Sequence, residues 1–115
     1  MGIFNLFGSS SRTDLDELVL NQLKKAGSDL SKPHHIEFFL YLPTQATAET
    51  AASRLRSDGF EATVQPPLKT SDWLCFATRT MVPDLSELQR IRRDFNRITG
   101  QLNGNYDGWG TQVEK

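Results

Sequence analysis

At 115 residues, with 37% hydrophobic and 23% charged side chains, the chain is long enough for one domain with its own core and too short for two. Seven Phe and two Trp mark a globular composition, and a formal net charge of −1 supplies no bulk field toward nucleic acid, membrane or an acidic partner. A single cysteine, Cys75, excludes an intrachain disulfide framework and a zinc site built from several thiolates, and it suits a reducing cytosol.

The chain begins "MGIFNLFGSSSR", a short apolar stretch with no basic region before it, which does not read as a secretory signal. Residues 1–11 are expected to form a flexible N-terminal arm, and residues 12–115 a single domain. A first helix is expected to follow, capped by Ser11 or Thr13, with Asp14, Asp16 and Glu17 in the first turn where carboxylates complement the dipole. Leu15, Leu18, Val19 and Leu23 form its apolar stripe, and Gly27 stops it. "SKPHH" then turns the chain into a strand, where Ile36, Phe38, Leu40 and Leu42 alternate with His35, Glu37, Phe39 and Tyr41.

After Pro43, Thr44 opens an alanine-rich helix to about Asp58, whose Ala48, Ala51, Ala52 and Leu55 suit close packing on a sheet. Gly59 ends it, and "FEATVQ" reads as a second strand with Phe60, Ala62 and Val64 inward. "PPLKTS" is a loop, because paired prolines lock φ and remove ladder donors. "DWLCFATRT" is a third strand, apolar on both faces for much of its length as a central strand is. The last helix is the clearest element: Leu85, Leu88, Ile91, Phe95, Ile98 and Leu102 recur at helical steps, with Gly104 as the cap residue. "NYDGWGTQV" extends as a fourth strand, with Tyr106 on one face and Trp109, Thr111 and Val113 on the other. Gly108 and Gly110 permit a bulge there.

A leading helix followed by β-α-β-β-α-β predicts an α+β, ferredoxin-like sandwich, an antiparallel sheet with two helices on one face. The first and third strands then lie at the centre. Their outer faces carry Phe39 and Tyr41, with Trp73 and Cys75 as further candidates, an apolar patch that something must cover.

Little in the chain points to catalysis. His34 and His35 are adjacent, so in a strand they face opposite ways and do not chelate one metal; a turn and strand-edge pair is the simpler reading. Cys75, in mid-strand, reads as a small buried hydrophobe. "GNYDGWG" has neither the Lys-Ser/Thr of a phosphate-binding loop nor a helix after it, and Asp107 has no carboxylate or His nearby in sequence to share acid–base work. No cofactor is expected. Binding has more support: "RIRRDFNR" sets Arg90, Arg93 and Arg97 on one helix face with Arg92 beside them. The plain reading is a solvated face with acids early and bases late. The sharper one is a basic stripe that meets an acidic protein or an RNA backbone. The aromatic sheet face allows base stacking, although "DWLCFATR" lacks the pattern of an RNA-recognition third strand.

The closing "YDGWGT" (Tyr106 to Thr111) and "IEFFLYLPTQATAETAASRLRSDGFEATV" (Ile36 to Val64) resemble the regulator of ribonuclease activity B family, RraB, also called the ribonuclease E inhibitor family. The resemblance implies a small cytoplasmic α+β protein with a ferredoxin-like fold. It also implies no catalysis of its own, and binding to an endoribonuclease whose RNA processing it modulates. The best-known members are strongly acidic, whereas this chain is near neutral. In the closing motif Trp109 is expected to anchor the core, while Tyr106 and Asp107 are the expected exposed contacts, with Arg90, Arg93 and Arg97 as further partner-binding candidates. The alternative function is an RNA- or small-ligand-binding module that uses the aromatic sheet face or the arginine stripe.

Overall fold

The computed structural model describes residues 15–115. The element order is α1 (Leu15–Lys25), β1 (His34–Leu42), α2 (Gln45–Ser57), β2 (Glu61–Gln65), β3 (Trp73–Met81), α3 (Leu85–Gln101) and β4 (Asn105–Gly110). The strands form one antiparallel sheet in the order β2-β3-β1-β4, the ferredoxin-like arrangement with an added N-terminal helix. The expected N-terminal arm and the Ser11 or Thr13 cap lie outside the described residues.

The alternation of β1 decides which face is sealed. Ile36, Phe38, Leu40 and Leu42 are fully buried under the helices. Phe38 packs edge-on against Phe60 and Phe95, with ring centroids 5.4 and 5.5 Å apart. On α2 the small Ala48, Ala51 and Ala52 are fully buried and let that helix lie close over β2 and β3. On α3, Leu88, Ile91, Phe95 and Ile98 are buried over β1 and β4, and α1 packs against α3.

Local chemistry sets the element ends. Thr44 caps α2 and exchanges bonds with Thr47 in a capping box; Asp84 caps α3 by accepting from the Glu87 amide. The carboxyl ends of α1 and α2 close with left-handed Gly27 and Gly59 (φ 95° each), and the following amides of Ser28 and Phe60 return to Leu23 and Leu55.

Four expectations are corrected. On α1, Leu18 is 47% exposed, and the buried stripe is Asp16, Val19, Leu20 and Leu23, so a carboxylate occupies a core position. Trp73 and Cys75 pair with Leu42 and Leu40, which places them on the helix side; Leu74 and Phe76 hold the outer face beside Tyr41 and Phe39. The left-handed cap residue of α3 is Asn103 (φ 62°), not Gly104. Gly104 is needed for another reason: a Cβ there would collide with the Tyr41 carbonyl and the Leu42 side chain. The fourth concerns Tyr106.

Candidate partner-binding site

Tyr106 and Trp109 are three residues apart, a spacing that in a regular strand puts them on opposite faces. Register breaks between them: Gly108 pairs with Phe39, but Tyr106 already pairs with Leu40. Asp107 is the extra residue of this bulge, and Gly108 takes φ 117° to form it. Tyr106 and Trp109 therefore both face the helices and are both buried.

Beneath them lies a polar cluster inside the core. The fully buried Asp16 carboxylate accepts two bonds from Arg92, from Nε at 3.0 Å and Nη2 at 2.8 Å, and a third from Trp109 Nε1 at 3.0 Å. The Arg92 guanidinium lies 5.2 Å from the centre of the Tyr106 ring, which meets Phe95 edge-on. Burial raises the Tyr106 hydroxyl far above its ordinary range. This constellation ties α1, α3 and β4 together. It is a latch, and it takes Tyr106 away from the surface where a contact was expected.

The bulge turns Asp107 the other way, to the outer face. There a cavity of about 410 Å³ opens between β1, β4 and the β2–β3 loop, walled by Tyr41, Leu74, Pro66 and Leu68, with Asn105 and Asp107 supplying polar atoms. Leu68, at 94% exposure, is the most exposed large apolar side chain among the described residues. Among the described residues Asp107 makes no ion pair or side-chain hydrogen bond, and burial pushes its carboxyl above the ordinary value. The Tyr41 hydroxyl is raised too, first by burial and then by the Asp107 charge.

The arginine stripe exists, but it is already laced. Arg90 bridges Glu87 at 2.6 Å and Asp94 at 2.9 Å, and Asp94 also reaches Arg97 at 3.7 Å. Arg92 is turned inward to Asp16. Only Arg93 of the four makes no ion pair among the described residues. His34 is buried between Ser28 Oγ (2.6 Å) and the Lys32 carbonyl (2.8 Å), and Ser28 also accepts from the Glu114 amide; the pair fastens the C-terminal segment. His35 meets Thr80 on the opposite face. No group of three His, Cys, Asp or Glu among the described residues is placed to hold a metal ion, and no described helix is long and apolar enough to cross a membrane.

The model of the family described as regulator of ribonuclease activity B matches residues 13–111, a span that includes all of α1 and runs to just past the bulged strand. The chain belongs to this family. No curated protein matches it. The RraB match thus includes the latch residues Asp16, Arg92, Tyr106 and Trp109 as well as Asp107. Two features of this RraB domain escape sequence reading. Asp16 is indistinguishable in the sequence from the other first-turn acids. The cavity wall left a fainter trace: Leu68 is a large apolar side chain in an otherwise polar, proline-opened loop, and loops of that kind carry function.

Proposed function

We propose that the chain is a non-catalytic cytoplasmic regulator that binds an endoribonuclease of the ribonuclease E type and modulates RNA processing or decay. Family membership carries this reading. The geometry adds a reason to favour protein over RNA as the direct partner. Neutralising phosphates requires free cations, and Arg90, Arg92 and Arg97 each already face a carboxylate. On the outer face the half-buried Phe39–Phe76 pair has the Glu37 carboxylate as a neighbour on the same side of β1, which repels a nucleic acid backbone.

The test is cleavage of a labelled RNA by purified ribonuclease E with increasing amounts of this protein, beside size-exclusion chromatography of the mixture. A co-eluting complex and a dose-dependent change in cleavage are expected. Unchanged cleavage with no complex at micromolar concentrations defeats the reading. Direct RNA binding that weakens steeply with added salt would support the nucleic-acid module instead.

A further inference from the structure

The Asp107 carboxylate has a counterpart inside the same molecule. On the helix side, Asp16, the Arg92 guanidinium and the Tyr106 ring form a complete set: carboxylate, planar cation, aromatic face. On the outer side, the cavity brings together Asp107, Asn105 and Tyr41, and among the described residues no cation pairs with Asp107. Across the whole lining two carboxylates, Asp107 and the exposed Asp72, stand against one ammonium, that of the exposed Lys69, so the cavity carries a net negative charge. A half-buried carboxylate without a partner is costly, and an incoming guanidinium relieves that cost while its aliphatic stem covers apolar wall.

We propose that this cavity is a docking site for an arginine side chain presented by an exposed segment of the protein partner, the guanidinium bonding Asp107 and stacking on Tyr41 while flanking apolar residues rest on Leu68 and Leu74. The inference rests on the reading of the chain as a protein-binding regulator and specifies where, and through which chemistry, that partner is held. Arginine fits better than lysine because its planar fork bonds a carboxylate bidentately and stacks on a ring. The molecule uses such stacking a second time, with Arg79 over Phe60 at 5.0 Å. A phosphate-bearing ligand is the wrong sign for Asp107.

The experiment is a two-dimensional NMR titration of the full chain with the end-capped peptide Gly-Leu-Arg-Leu-Gly and with the same peptide carrying citrulline, which is neutral but nearly isosteric. Amide shifts are expected to cluster at Tyr41, Leu74 and Asn105 to Asp107. Binding is expected to be about tenfold weaker for citrulline, and for Asp107→Asn with the charged peptide, since a charge-assisted bond is lost in both. Leu68→Lys alters a position that folding does not bury and puts a second cation at the cavity mouth; it should weaken the arginine peptide by about threefold or more. Shifts elsewhere, equal binding of the two peptides, or a uridine oligonucleotide that competes for the same amides would overturn the proposal. Ribonuclease binding separates this idea from the broader one. If Asp107→Asn binds the ribonuclease as tightly as the wild type, the arginine site fails while the regulator reading stands. If the wild-type chain binds no ribonuclease yet takes the arginine peptide at this cavity, the reverse holds.

Discussion

Replacing Asp16 by Asn keeps an acceptor for the Trp109 indole but removes the charge around which Arg92 is folded. Arg92 retains about a fifth of its side-chain surface, so part of its hydration returns. A loss of about 3 kcal/mol is expected in urea unfolding, near the lower end for breaking a buried pair. Trp109→Phe leaves the ion pair intact and should lose about 1–2 kcal/mol through the missing bond and some volume. Trp109→Ala should lose about 3–5 kcal/mol. If Trp109→Ala were as stable as the wild type but no longer bound its partner, the latch would be the wrong description of this cluster. Cys75 offers a cleaner measurement. Burial pushes its thiol from 9.0 up to about 11, so at pH 8 roughly one molecule in a thousand carries a thiolate. Iodoacetamide should leave the native protein unmodified over hours and label it promptly in denaturant; rapid native labelling would contradict a sealed Cys75.

At the scale of elements, the helices and strands were legible because their periods are strong: the α3 stripe and the alternation of β1 both appear as the spacing demands. The face of a residue in a bulged strand was not. One inserted residue, Asp107, reverses the side on which everything before it lies, and nothing in "NYDGWG" says where the insertion falls. The two glycines announced only that a bulge was allowed. Asp16 was illegible for another reason: its partners stand 76 and 93 residues away, and a first-turn acid has an adequate local explanation already. Gly104 shows the same limit. It reads as a helix cap, yet Asn103 supplies the left-handed turn, with the Gly104 amide returning to Thr99 at 2.7 Å. The glycine is required by the close approach of β1, and Gly104→Ala should lose about 1–3 kcal/mol because the obstacle includes backbone that cannot move aside. Asn103→Gly should be nearly neutral, since glycine adopts the same φ without strain. Equal effects of the two substitutions would place the constraint at the cap instead.

For the whole molecule, the sheet separates two acids into different environments. Asp16 on the helix side is given three donors. Asp107 on the outer side is half-buried, and desolvation raises its carboxyl above the ordinary value of 3.8. Between that value and its higher folded value, the native state holds a proton that the unfolded chain has released, so this group's contribution to stability falls as pH rises through the window. Above the window the ionised carboxylate carries its full desolvation cost. Asp107→Asn should therefore melt at or above the wild-type temperature at pH 7, and the difference should close as the pH approaches 3.8. A lower melting temperature for the variant at pH 7 would mean that Asp107 already has a stabilising partner. The same measurement reports on the arginine site. At a peptide concentration ten times Kd, linkage raises the stability of the wild type by about 1.4 kcal/mol, while the variant, binding about tenfold more weakly, gains only about 0.4 kcal/mol. Peptide should thus narrow or reverse the order of the two melting temperatures at neutral pH. A carboxylate retained at some expense to the free domain, and compensated only when a cation arrives, is what a binding site looks like in a stability measurement.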